Sequence, residues 1–194
     1  MVKTADKEEL RHFYKALRKN SDPADAARKD KMLCDKLFVL PEYAAADTVL
    51  MYYPSKGEPD ILKIFGKSRS DGKSVAFPLC AGREMIFKLV NNLSELTTVY
   101  FGIPSPSPEA KNAPTGKNTL CILPALAFDR DGFRLGYGGG FYDRFLSGFC
   151  GISAGLARSE FLTNYLPRES FDRKADIIIT ENEVIVTNAQ KEPV

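Results

Sequence analysis

The segment Arg134 to Arg144, RLGYGGGFYDR, limits what this chain can become more than any other. It packs four glycines, three aromatics, two arginines and one aspartate into eleven residues behind the apolar run Thr119 to Phe128. A hydrophobic core has no use for that composition. With a strand before it and an amphipathic helix after it, the loop falls beyond the carboxyl end of a strand, where ligands gather in α/β sheets. Glycine carries no Cβ, so backbone N–H groups can turn toward a ligand and approach it closely, as in loops that cradle phosphate oxygens. Arg134 and Arg144 add fixed positive charge, and Asp143 can hold a divalent cation beside the same anion. The spacing fits neither the Walker nor the Rossmann glycine pattern. Taken alone, such a loop is also compatible with a purely structural turn.

The remaining segments alternate. Residues 7 to 19 place Leu10, Phe13, Tyr14 and Leu17 at helical spacing with that stripe turned inward, and Asp22-Pro23 starts a second helix running to about Leu40. Asp47 to Tyr53 reads as a buried strand, Pro59 opens a helix through Phe65, and Lys73 to Pro78 and Glu84 to Val90 read as strands. Leu93 to Tyr100 is short helical or irregular, and Gly102 to Lys117 is a surface loop with four prolines. Thr119 to Phe128 is the strand feeding the glycine loop. Phe141, Tyr142, Phe145, Leu146 and Phe149 make one face of the next helix, followed by strands at Cys150 to Ala157, Ala175 to Thr180 and Val184 to Thr187. Strands separated by helices predict an α/β fold: one three-layer domain over residues 1–194, with a mostly parallel central sheet and helices on both faces.

Composition excludes several classes. A hydrophobic share of 44% and a charged share of 27% suit a globular protein, and a net charge of +2 argues for neither nucleic acid nor an anionic membrane surface. Cys34, Cys80, Cys121 and Cys150 are widely spaced among apolar or mixed neighbours and read as reduced core thiols. His12 is the only histidine and lies near no cysteine, so zinc is not expected. The opening MVKTADKEEL lacks the apolar core of a secretory signal, and the apolar run Leu120 to Phe128 is too short to span a bilayer. The expectation is a cytoplasmic protein, monomeric, without membrane or nucleic-acid partners.

Other residues gain meaning only together. Lys7, Arg11, Lys15 and Arg18 recur at three- and four-residue steps as one cationic stripe, which by itself is equally a solvated helix face. Tyr53 and Glu58 bracket a Pro and Gly turn where an aromatic and a carboxylate can meet a planar polar ring; alone, they read as a core aromatic and a helix-start acid. Asp176, at the opening of ADIIIT, can share a magnesium ion with Asp143, or be a turn residue.

In order along the chain, KEELR at 7–11, YPSKGE at 53–58, LPALAFDRDGFRLGYGGGFYDRFL at 123–146 and ADIIITE at 175–181 resemble the 5-formyltetrahydrofolate cyclo-ligase family, also called methenyltetrahydrofolate synthetase. The resemblance runs nearly end to end, and 123–146 is its specific part. It implies that Lys7 and Arg11 touch ATP, and that Arg134, Leu135, Gly136, Tyr137, Gly138, Gly139, Gly140, Phe141 and Tyr142 cradle the nucleotide. It implies further that Tyr53 and Glu58 bind the reduced folate, that Tyr137 to Phe141 adjoin it, and that Asp143 and Asp176 hold Mg²⁺. Arg134, Tyr142 and Asp143 are the catalytic candidates. The chain departs from the family pattern at Phe171, where members often carry histidine, and at Pro104-Ser105-Pro106, where Glu-Pro often follows Gly-Ile.

The implied reaction closes a ring on an unreactive formamide. ATP would phosphorylate the N5-formyl oxygen of 5-formyltetrahydrofolate, N10 would attack the formyl carbon, and phosphate would leave, giving 5,10-methenyltetrahydrofolate and ADP. Such a route needs no protein nucleophile, in keeping with a chain that offers no Ser-His or Cys-His pairing; positioning and charge neutralisation carry it. An alternative from another class is a non-catalytic nucleotide- or RNA-binding module using the same loop and basic helix.

Overall fold

The computed structural model describes residues 6–55, 57–100 and 102–187. In chain order these form α1 (Lys7–Lys19), α2 (Pro23–Phe38), α3 (Pro41–Ala45), β1 (Thr48–Leu50), α4 (Leu62–Ser70), β2 (Ser74–Ala81) and β3 (Glu84–Leu89). Then come β4 (Thr98–Tyr100), β5 (Ile103–Ser105), β6 (Thr119–Leu123), β7 (Ala127–Asp129), β8 (Arg134–Leu135), α5 (Phe141–Leu146), β9 (Ile152–Leu156), β10 (Leu162–Thr163), β11 (Ile177–Ile179) and β12 (Val184–Val186).

Seven strands make the central sheet in the order β12-β11-β9-β6-β1-β2-β3. The inner five run parallel, and the edge strands β3 and β12 are antiparallel to their neighbours. The parallel strands are apolar on both faces, as strands covered twice must be. Val49, Met51, Ile177 and Ile179 pack on one side with Leu33, Leu37, Ile64 and Phe65 of α2 and α4. Leu50, Cys121 and Ile178 pack on the other with Tyr14 of α1, Phe128, Leu135 and Phe149. The expected three-layer α/β architecture is therefore present.

Several local expectations shift, each for a readable reason. The strand expected over Thr119 to Phe128 is two, because Pro124 lacks the N–H that would carry the ladder onward. β6 stays in the main sheet, while β7 turns away to pair with β8 and β10. The helix expected from Pro59 begins at Leu62 and runs to Ser70, and α3 fills the connection behind Pro41. Part of the expected 102–117 loop is β5, paired with β4. Phe13, expected on the inward stripe, is 59% exposed and meets Tyr14 edge-on at 5.1 Å between ring centroids. All four cysteines are free, but only Cys34 and Cys121 are buried; Cys80 is half-buried and Cys150 exposed. Among the described residues no helix is long and apolar enough to cross a membrane.

Candidate functional site

The glycine loop leaves β8 and enters α5 through two residues in the left-handed region, Gly138 at φ 106° and Gly140 at φ 63°. Side chains with a Cβ rarely adopt these angles, so the glycines are a backbone requirement. Three arginines of the flanking helices, Arg11 and Arg18 of α1 and Arg144 of α5, hold the loop. Arg11 Nε donates to the Gly136 carbonyl at 3.0 Å, tying α1 to its first turn. Arg144 donates to the Gly139 carbonyl at 2.9 Å and to the Arg83 carbonyl at 3.0 Å, tying it to the turn between β2 and β3, and its guanidinium lies over the Phe141 ring. Arg18 Nη1 donates to the Tyr137 hydroxyl at 2.8 Å.

Tyr137 passes that connection on. Its hydroxyl donates to Glu58 Oε1 at 2.8 Å, while Oε2 accepts from the Ser55 N–H at 2.8 Å and the Ser55 hydroxyl at 2.7 Å. A carboxylate offers about four acceptor positions, so three internal donors leave about one for a ligand N–H. Burial and the Glu58 charge push the Tyr137 phenol well up, so it stays protonated and donating. Glu58 is 7% exposed, whereas Tyr137 is 47% exposed: the phenol end is fixed and the ring remains open to a planar ligand. Tyr53 lies half-buried against the core cluster on the α2 side of the sheet.

The Ser55–Glu58 turn is braced from behind. Arg158, just past β9, forms a buried bidentate pair with Asp30 of α2 at 2.7 and 2.8 Å and donates to the Gly57 carbonyl at 3.3 Å. Asp30 Oδ2 also accepts the Asp60 N–H at 2.9 Å. One ion pair thus joins α2, β9 and this turn.

A second cluster surrounds Asp143. Arg134, its side chain 4% exposed, donates to Asp143 Oδ1 at 2.7 Å and to the Arg173 carbonyl at 2.8 Å. The same Oδ1 accepts the Arg173 N–H at 3.0 Å, so Arg134, Asp143 and the 169–174 segment are locked together. Lys7 reaches that segment too, pairing with Glu169 and Asp172 at 2.6 Å each. Burial works against the lysine charge, but the two carboxylates outweigh it and raise its pKa. Phe171 sits under the same ammonium, 5.7 Å from ring centroid to Nζ, so the residue standing where histidine is common still touches this corner.

Asp143 and Asp176 are held by different groups. Asp176 Oδ2 accepts from the Ser153 N–H at 2.7 Å and the Ser153 hydroxyl at 2.8 Å, which ties the start of β11 to β9. Among the described residues no group of three or more His, Cys, Asp or Glu is placed to hold a metal ion. Magnesium needs no such cage, since it keeps several waters and binds through one or two carboxylates plus phosphates. Asp143 takes its two hydrogen bonds on Oδ1 and Asp176 takes those from Ser153 on Oδ2, so each carboxylate is anchored through one oxygen and either fits that role.

Two loop residues contribute less chemistry than expected. Leu135 is buried, so only its backbone faces the loop. The Tyr142 hydroxyl is enclosed without a partner among the described residues, its ring edge-on to Phe87, and burial pushes its pKa well up. Sequence reasoning assigned no site role to Arg18, Ser55, Asp30 or Arg158. Arg18 was in view as the end of the stripe that includes Lys7 and Arg11, but nothing local distinguished it from Lys15, which is exposed. Arg158 and Asp30 lie 128 positions apart and carry no local signal.

A mostly parallel sheet covered by helices, with a glycine loop tied to α1 through Arg11 and Arg18, defines an α/β protein. The chain belongs to the 5-formyltetrahydrofolate cyclo-ligase family, whose sequence profile matches residues 3–181. It is accordingly an enzyme of the ligase class. The 5-formyltetrahydrofolate cyclo-ligase of Escherichia coli K12 is 27% identical over 169 residues, covering 84% of this chain and 93% of that protein. That of Mycolicibacterium smegmatis is 32% identical over 154 residues, covering 72% and 76%. The NMR structure of Aquifex aeolicus 5,10-methenyltetrahydrofolate synthetase matches with a TM-score of 0.83 at 30% identity, over 97% of this chain and 96% of that one. A Mycoplasma pneumoniae 5,10-methenyltetrahydrofolate synthetase shares the fold at a TM-score of 0.72 and 22% identity, over 91% and 99%.

Proposed function

We propose that the chain converts 5-formyltetrahydrofolate to 5,10-methenyltetrahydrofolate with ATP and Mg²⁺, releasing ADP and phosphate. The observation that carries this reading is the contact between its two halves: Tyr137, a glycine-loop residue, donates directly to the buried carboxylate of Glu58. A loop suited to phosphate and a carboxylate suited to a planar N–H donor are thus one side chain apart. Transfer of the γ-phosphoryl to the formyl oxygen then depends on placing the two substrates in register, which is what such a site contributes.

In this reading Arg11 faces the phosphates from α1, Lys7 stands beside them with its charge met by Glu169 and Asp172, and the Gly136–Gly140 backbone approaches the phosphates. Glu58 accepts a pterin N–H at its remaining position, while Tyr53 and the open Tyr137 ring pack on the folate. Arg134 fixes Asp143, the proposed magnesium ligand; Asp176 enters only through the family resemblance. Mg²⁺, when bound, would supply neutralisation of phosphate charge. Tyr142 packs under the loop and is assigned no proton transfer, because its enclosed phenol stays protonated.

Mixing the protein with 5-formyltetrahydrofolate, ATP and Mg²⁺ should produce methenyl-folate absorbance. Intact ATP binding with no absorbance change would favour the nucleotide-binding module instead. Asp143→Asn keeps a hydrogen-bond acceptor for Arg134 but removes its counter-charge; assayed below its lowered melting temperature, it should reduce turnover by about 100-fold or more, the scale of losing a key transition-state contact. Full activity in that variant would remove Asp143 from the metal site.

A further inference from the structure

Arg18 is the least economical residue in the molecule if stability is its only purpose. It is 8% exposed, and among the described residues no carboxylate lies within ion-pair distance of its guanidinium. Its Nε is enclosed with no acceptor among the described residues. Its other nitrogens serve the Tyr137 hydroxyl and the Ala125 and Leu126 carbonyls, and its guanidinium lies 5.1 Å from the Phe161 ring centroid. A charge buried without a partner costs stability unless something else answers it.

The hydrogen-bond chemistry identifies what answers it. A guanidinium only donates, so the bond between Arg18 and Tyr137 has one possible direction. The hydroxyl's oxygen therefore receives Arg18, and its single proton is committed to Glu58 Oε1. Glu58, likewise buried and without an ion pair among the described residues, meets the Arg18 charge through that one hydroxyl. Gly57 completes the packing: a Cβ there would lie 3.2 Å from Arg18 Cβ, so the turn carrying Glu58 rests directly on the arginine stem.

We propose that Arg18 is a positioning residue for the folate half of the site, orienting Tyr137 so that its ring stays in place and its proton is held on Glu58. This rests on the reading of Glu58 and Tyr137 as folate contacts. Arg18 touches neither substrate in this arrangement; it acts through Tyr137. Its bonds to the Ala125 and Leu126 carbonyls, at the break between β6 and β7, would also make it a simple brace for the loop. The two roles differ in what they predict: a brace affects both ligands, whereas a positioning residue affects folate selectively and only while the Tyr137 hydroxyl is present.

The test is calorimetric binding of 5-formyltetrahydrofolate alone and, separately, of a non-hydrolysable ATP analogue with Mg²⁺, on the full chain. Arg18→Met and Tyr137→Phe should each weaken folate binding about ten-fold, the double variant no more than the worse single, with analogue affinity changed less than about two-fold. Arg18→Lys, which restores a donor but not the planar fork, should recover part of the loss. Equal losses for both ligands, multiplicative effects in the double variant, or unchanged folate binding in Arg18→Met would overturn the proposal while leaving the activity intact. If Arg18→Met does not fold, unchanged folate binding in Tyr137→Phe overturns it equally. Wild-type protein that binds the analogue but not 5-formyltetrahydrofolate would sink the folate reading and this proposal together.

Discussion

Arg158 and Arg18 are both buried and both touch Gly57, yet they are opposite kinds of residue. Arg158 has its counter-charge in direct bidentate contact, with Asp30 buried beside it, and its remaining bonds go to backbone carbonyls. Arg18 has no carboxylate in contact among the described residues, and its charge is met by Glu58 only through a phenol. One is a closed joint between α2, β9 and the 55–60 turn; the other leaves its charge tied to a side chain whose ring is open. The difference separates scaffold from site within a few ångströms of the same glycine.

The sharpest way to break this contrast is to remove each partner. Asp30→Ala leaves Arg158 buried and unpaired and should cost about 3–5 kcal/mol in urea denaturation, whereas Arg18→Met removes a charge lacking direct compensation and should cost about 1 kcal/mol or less. Equal losses would mean that Arg18 belongs to the scaffold as fully as Arg158. A smaller effect comes from the loop itself. An alanine Cβ at Gly138 would meet nothing closer than 3.8 Å, so Gly138→Ala isolates the positive φ. It should cost roughly 1–2 kcal/mol in thermal or urea unfolding and weaken nucleotide binding; an unchanged loop affinity would show that the backbone there is not held for a ligand.

The smallest effect lies on the scaffold side, at Glu181. Burial alone would raise its pKa, but the Ser159 hydroxyl and N–H, with Lys29 nearby, hold it below the usual value. A depressed carboxyl stabilises the fold above its ordinary pKa and loses that contribution as pH falls through the folded value. Stability should therefore decline on acidification below roughly pH 4.3, less steeply in Glu181→Gln, as followed by circular dichroism across that range. Identical slopes for the two proteins would show that the Ser159 and Lys29 contacts do not hold the Glu181 charge in the fold.

Much of this was legible along the chain. Asp22 with Pro23, the largely apolar run at 47–53, the β-branched run at 177–179 and the two-faced apolar strands announced helices and buried parallel strands through local propensity and period. The glycine loop stood out because its composition has no use in a core. Strand length after Pro124, the start of α4 and the outward turn of Phe13 were not legible, because each depends on which neighbour supplies hydrogen bonds or cover. Lys15 and Arg18 have the same character in sequence and opposite fates in space, since the helix stripe is wider than the face that packing buries.

By itself, then, the sequence determined the order of the main helices and central-sheet strands, the two-sided sheet and the place of the loop, all consequences of short-range preference. Tertiary structure alone decided that Asp30 meets Arg158 across 128 positions, that Tyr137 links Arg18 to Glu58, and that Asp176 meets Ser153. The physical reason is the same in each case. A polar group's partner is chosen by what remains within hydrogen-bond reach once water is excluded, and only the assembled sheet and helices fix that reach.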